Sequence, residues 1–142
     1  MKRLLFLSIV LSGLLLSCGN NDSNPVTAEK KNYAKTKKIL QEKEEKNPQN
    51  FLWVEGHDKR NILGQTVIKG TITNKATVAV FKDVDLKLSF YSKTHTLLET
   101  DKETVFEVLH PGESKNFKTK YFAPKGTDSV ALEVLGARVV AE

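Results

Sequence analysis

The sequence predicts an all-β fold, an antiparallel β-sandwich, for the part of the chain that begins at Phe51. Two observations carry this prediction: short runs of alternating apolar and polar residues recur along this part, and turns that contain Pro or Gly separate them. Alternation with a period of two means that one face of a strand is buried and the other is in water. The clearest run covers residues 81–91, where the apolar positions are Val84, Leu86, Leu88 and Phe90.

The other predicted strands are shorter or less regular. They cover residues 51–56, 65–74, 96–109 (as one long strand or two short ones), 117–121 and 129–140. In the last of these strands the apolar residues occupy even-numbered positions up to Val134 and odd-numbered positions from Leu135 onward, including Ala137. The alternation therefore shifts by one residue at Leu135–Gly136. A glycine at such a change is typical of a β-bulge, because the extra residue needs an unusual backbone angle. We therefore expect the last strand to bend there.

Residues 1–17 predict a secretory signal peptide. Met1-Lys2-Arg3 is followed by an apolar run that ends at Leu16. A membrane-spanning helix needs about 20 apolar residues, and this run is shorter. A basic start, a short apolar centre and a small residue before a cleavage point are typical of a signal that is removed. A buried core helix is the alternative, but the run has no polar face and stands behind two cations.

The apolar run ends in Leu15-Leu16-Ser17-Cys18, which resembles the lipobox of bacterial lipoproteins. The resemblance implies a diacylglyceryl group on the Cys18 thiol, cleavage after Ser17, palmitate in the finished anchor, and a location in the cell envelope, in the outer membrane on its periplasmic or surface face. The alternative is an ordinary signal peptide with a stray thiol. An unpaired exported thiol would need its own explanation, whereas acylation consumes it.

Residues 18–50 are interpreted as a flexible or helical tether. The segment from Gly19 to Pro25 is polar and turn-prone and is predicted to be disordered, either as a spacer or as a sorting signal. Residues 26–46 favour a helix by composition, with Asn24 as its cap and Pro25 at its first position. The apolar residues of this helix form only a sparse stripe, which predicts a spacer; the alternative is a helix whose lysines lie against anionic lipid.

The formal charge of the whole chain is +5, but residues 51–142 hold thirteen cations against twelve acids. Nucleic-acid-binding domains concentrate positive charge on one face. Because the predicted β-domain is nearly balanced, we expect no nucleic-acid partner.

No catalytic or metal-binding pattern stands out in the sequence. His57, His95 and His110 fall in three separate predicted loops without the spacing of metal ligands, and Ser114 lies in a turn instead of a nucleophile elbow. The polar loop His57-Asp58-Lys59-Arg60 could bind an anion, but a solvated connection is the favoured interpretation. We therefore predict a protein that is not an enzyme and needs no cofactor or metal. The remaining feature that suggests a function is the exposed strand edges, whose unpaired backbone groups can accept a partner strand.

Two short motifs resemble FxLYD-type domains, which are small immunoglobulin-like domains of bacterial envelope proteins. The first is Gly70-Thr71-Ile72-Thr73-Asn74, and the second is Leu109-His110-Pro111-Gly112-Glu113 with Phe117 after it. The resemblance implies an immunoglobulin-like sandwich of about seven strands over residues 51–142. It also implies a non-enzymatic envelope lipoprotein, attached to the membrane through lipid on Cys18, whose sandwich contacts another envelope protein or a ligand. An accessory subunit of an envelope enzyme or transport complex and a purely structural spacer are the alternatives.

Overall fold

The computed structural model describes residues 25–140, in which one helix and a short 3-10 turn precede six strands. The elements are α1 (Pro25–Lys46), the turn Pro48–Asn50, β1 (Leu52–Arg60), β2 (Thr66–Asn74), β3 (Phe81–Ser92), β4 (Leu97–Leu109), β5 (Ser114–Tyr121) and β6 (Thr127–Val139). Sheet A has the strand order β1-β2-β5, sheet B has the order β4-β3-β6, and all pairs are antiparallel. The predicted all-β sandwich is confirmed. Its strand count is six instead of about seven, because residues 97–109 form one strand. The predicted signal peptide and Cys18 lie outside the described residues.

The core lies between the two sheets, and β3 contributes most to it. The alternating residues Val84, Leu86, Leu88 and Phe90 are all buried, as the sequence predicts. Strand β3 is central in sheet B and pairs on both sides, so its side chains have no solvent-exposed strand edge beside them. From sheet A, Ile68 and Ile72 of β2 pack against the same cluster. The sandwich is therefore built on its two central strands.

The open side of the sandwich, between β5 and β4, carries a polar link between the sheets. The Tyr121 hydroxyl donates a hydrogen bond to a Glu103 carboxylate oxygen, and the Tyr121 ring stands 6.1 Å from that of Phe90. Burial and the neighbouring Glu103 carboxylate raise the pKa of Tyr121 well above its ordinary value. The hydroxyl therefore stays a hydrogen-bond donor and holds the two sheets together along this side.

The predicted bulge in β6 is present. Asp85 pairs with Gly136 and Leu86 pairs with Val134, so that Leu135 is the extra residue. The expected reason was wrong, because Gly136 is not among the residues with positive φ. The left-handed backbone is instead at Asp83 of the neighbouring strand, with φ 50°. The bulge is thus shared by the two paired strands, and it returns Ala137 to the core side.

Strand β1 is longer than the sequence predicts, because His57-Asp58-Lys59-Arg60 is strand instead of loop. Pairing with β2 continues until Arg60 lies opposite Thr66. Polar side chains are compatible with this pairing because β1 is an edge strand and the outer face of sheet A is in water. The correction matters for function, since it places His57 and Lys59 on a rigid surface.

Helix α1 is the one predicted over residues 26–46, and its side chains from Glu29 to Leu40 are exposed. Within residues 25–140, no helix is both long and apolar enough to cross a membrane. Glu44, near the end of α1, is the exception to this exposure, since only 2% of its surface is accessible. The helix is therefore joined to the sandwich at its C-terminal end.

Candidate functional site

Glu44 joins α1 to the loop between β2 and β3. Its carboxylate accepts hydrogen bonds from the backbone N–H groups of Thr77, Val78 and Ala79, at 2.8, 2.9 and 2.9 Å. Burial opposes ionisation of this carboxyl group, but the three N–H donors outweigh it, so the pKa of Glu44 is lower than its ordinary value. A charged carboxylate thus satisfies three backbone donors of this loop.

Asn74 holds the same loop from the other side and brings the two sequence motifs together. Its fully buried amide donates to the carbonyl oxygens of Ala79 and Leu109, at 2.9 and 3.0 Å, and accepts from the N–H of Ala76 at 2.8 Å. The backbone N–H of Gly112 also donates to the Asn74 carbonyl oxygen. Asn74 and Gly112 therefore connect the two loops that carry the motifs.

Gly70, the first residue of the first motif, allows a close approach between strands. A Cβ atom at this position would lie 2.6 Å from the Phe117 ring and 2.6 Å from the carbonyl oxygen of Glu55. Such distances are shorter than van der Waals contact, so any larger residue would displace the ring or the backbone. The motif glycine and Phe117 form one packing unit of sheet A.

The outer face of sheet A is strongly basic. Its cationic and potentially cationic side chains come from all three strands: His57, Lys59, Lys69, Lys118 and Lys120. The register places His57 and Lys118 opposite Lys69, one on each side. Among the described residues the three ion pairs involve Lys87, Lys115 and Arg138, so none of these lysines takes part in one. The near-balanced total charge hides this concentration, which depends on the register of the strands.

Two adjacent depressions, of about 650 and 430 Å3, form a continuous groove along this face. Both are lined by His57, Lys69 and Lys118, which define what we call the basic groove. Its upper part also has Glu55 and Asn116, and its lower part extends to the β1–β2 turn. The groove is open, and its two parts share the ammonium groups of Lys69 and Lys118. It is suited to binding acidic groups.

The sequence-predicted site residues are not brought together. His57 faces the basic groove, His95 is in the β3–β4 turn, and His110 follows β4. In residues 25–140, no group of three or more His, Cys, Asp or Glu side chains could hold a metal ion. Ser114 is the first residue of β5, and its hydroxyl is hydrogen-bonded to that of Thr73 at 2.8 Å.

Sequence reasoning missed the basic groove and Glu44. The alternation of Lys118 and Lys120 along β5 was visible, but only the register shows that Lys69 is their neighbour. In comparisons with protein-family models, curated proteins and solved structures, nothing matches this chain.

Proposed function

We propose that this chain is a membrane-anchored lipoprotein of the cell envelope, lipidated at Cys18 and without enzymatic activity. Its immunoglobulin-like sandwich is a protein-interaction module that binds an acidic segment of another envelope protein in the basic groove. The apolar run that ends at Cys18 supports the anchor. The observation that supports the interaction is the row of His57, Lys69 and Lys118 on three adjacent strands.

Like charges on directly paired positions of a sheet destabilise it, and Lys69 and Lys118 are such a pair. The fold gains nothing from this arrangement, so the row points to a ligand of opposite charge. Neighbouring strands are about 4.8 Å apart, which spaces the ammonium groups closely enough to contact successive acidic side chains of one segment. An acidic protein segment therefore fits the row.

The interaction is tested by photocrosslinking in intact membranes. A photoreactive side chain in place of Asn116, which lines the groove and is exposed, should capture a partner protein. Lys69→Glu together with Lys118→Glu should abolish the adduct, because the reversed charges repel an acidic segment. The matched control is Lys82→Glu with Lys102→Glu, on sheet B, which should leave the adduct unchanged. An adduct that survives reversal in the groove would overturn the proposed interaction.

The anchor is tested separately. Cys18→Ala should abolish incorporation of labelled palmitate and leave the precursor uncleaved, because the thiol is the attachment point. A full-length chain with Cys18 intact serves as the control. Labelling that persists in the Cys18→Ala chain would contradict lipidation at this residue.

A further inference from the structure

The end of the sandwich that carries the β1–β2 turn presents large apolar side chains to solvent. Ile62 is fully exposed, and Leu63 is 73% exposed. Phe122 lies at the same end, because Tyr121 pairs with Thr66 at the start of β2 and Phe122 follows it. Its ring is 79% exposed. We call Ile62, Leu63 and Phe122 the apolar tip.

The turn that carries the tip is held in one conformation. The Asn61 side-chain oxygen accepts hydrogen bonds from the backbone N–H groups of Leu63 and Gln65, both at 2.9 Å. The Asn61 amide also donates to the Gln65 side chain at 3.0 Å, and Gly64 takes a left-handed φ of 76° that closes the turn. A turn fixed in this way keeps Ile62 and Leu63 in water, so their exposure is a built feature of the molecule.

Cations surround the apolar tip. Lys59 and Arg60 precede the turn, Lys120 is at the end of β5, and Lys125 is in the loop that follows; we call these four residues the basic collar. The Arg60 guanidinium donates to the carbonyl oxygen of Thr127, which links the turn to that loop. The acids beside Arg60 are Asp58 and Asp128. The collar is therefore positive by two charges after both acids are counted.

We propose that this end of the sandwich inserts into the surface of an anionic lipid bilayer. Side chains such as Ile, Leu and Phe enter the boundary between head groups and acyl chains, while Lys and Arg contact the phosphates, as in other interfacial membrane anchors. The exposure of all three side chains favours a bilayer, because a ligand pocket would enclose them in a concave site. This inference goes beyond the proposed function and does not depend on lipid at Cys18.

The orientation of the strands adds a geometric consequence. Strand β1 runs from the end near α1 to the apolar tip, and its nine residues span about 26 Å at 3.3 Å per residue. Insertion of the tip would hold the sandwich upright on the bilayer. The upper part of the basic groove, near Asn116, would then stand clear of the lipid, so tip and groove can be occupied together.

The test uses fluorescence quenching with the full chain reconstituted into vesicles of phosphatidylglycerol and phosphatidylethanolamine. Bromine atoms on the acyl chains quench an indole that enters the bilayer. In a Trp53→Phe background, Phe122→Trp places the reporter at the tip. Phe106→Trp is the matched control, because Phe106 is 78% exposed but lies on β4 beside Asn116 and Phe117, away from the tip. We expect several-fold stronger quenching for Phe122→Trp than for Phe106→Trp.

The basic collar makes a second, independent expectation. Lys59→Gln with Lys120→Gln, added to Phe122→Trp, should reduce the quenching, and replacing phosphatidylglycerol by phosphatidylcholine should reduce it equally. Equal quenching for Phe122→Trp and Phe106→Trp would overturn the proposal, as would quenching that does not depend on lipid charge. An unquenched tip that crosslinks to a protein in intact membranes would assign this surface to a protein partner instead and would likewise overturn it.

Discussion

At the level of single residues, Leu86 is a central contributor to the packing of the core. It is fully buried on β3, between the paired positions Glu103 and Val134 of the flanking strands. Truncation by Leu86→Ala removes apolar contacts and leaves a cavity, which should lower the free energy of unfolding by about 2–5 kcal/mol. Urea denaturation of the full chain measures this loss.

The control for Leu86 is Leu97→Ala at the beginning of β4, where the side chain is half exposed. Its effect should stay within about 0.5 kcal/mol, as for most surface substitutions. If Leu86→Ala destabilised the protein as little as Leu97→Ala, the side chain of Leu86 would have to face solvent, and the assignment of inner and outer faces would be wrong.

Asn74 stabilises the fold by a different means, since its role is to satisfy buried backbone groups. Asn74→Ala would leave the carbonyl oxygens of Ala79 and Leu109 without its amide and the N–H of Ala76 without an acceptor. Each unsatisfied buried group costs about 1–3 kcal/mol, so the loss should exceed that of a single surface hydrogen bond several-fold. Thermal unfolding compared with Asn116→Ala, whose exposed side chain accepts only from Thr71, measures the difference. Similar melting temperatures for the two variants would contradict this role.

At the level of elements, the carboxylate of Glu44 forms the hydrogen bonds between α1 and the sandwich, and these depend on pH. The ordinary pKa of this group is 4.5, and the pKa of Glu44 in the folded protein is lower. The stabilisation is therefore fully present above pH 4.5 and is lost as the pH falls below that value, through the lower pKa of the folded state. Protonated Glu44 can no longer accept three hydrogen bonds as an anion, so acid should release the end of the helix before the sandwich unfolds.

Hydrogen exchange at the amides of Thr77, Val78 and Ala79 follows this release directly. Glu44→Gln should increase exchange at these amides at neutral pH, because a neutral amide offers one acceptor oxygen in place of two. Glu42→Gln is the control, since Glu42 is exposed on the same helix. If both variants exchanged like the parent protein at neutral pH, the three hydrogen bonds of Glu44 would not hold the helix.

The elements that sequence could predict are those whose signal is local. The alternation from Val84 to Phe90 predicts the buried face of β3, because this pattern lies within one strand and does not depend on which strands pair with it. The second half of β1 was missed because its polar residues form an edge strand that only pairing with β2 reveals. Glu44 was missed for a similar reason: its partners are more than 30 residues away in the chain, and nothing about a glutamate within a charged helix distinguishes it.

We propose that the whole molecule is an anchored domain on a spacer, and this proposal makes a prediction about α1. Its 22 residues span about 33 Å as a helix. If reach is what matters, shuffling residues 26–43 at constant composition, with Glu44 kept in place, should leave crosslinking to the partner intact. Deleting the same residues should reduce it, because the sandwich would be held too close to the anchor.

The yield of the Asn116 photoadduct in intact membranes measures both variants, with the parent chain as reference. A shuffled chain that fails as completely as the deletion would make the sequence of α1, with its lysines, a recognition element, and the spacer interpretation would be wrong.

The connectivity of sheet B bears on the proposed export of the chain across a membrane. The central strand β3 needs β6 on one side, and the start of β6 at Thr127 follows the end of β3 at Ser92 by 35 residues. Sheet A is likewise incomplete until β5 pairs with β2. Pairings so distant in sequence form slowly, because a long loop must close before any contact is made. Under the proposed export, a chain that crosses the membrane N-terminus first completes neither sheet until β5 and β6 have followed, which should keep it unfolded enough to be translocated.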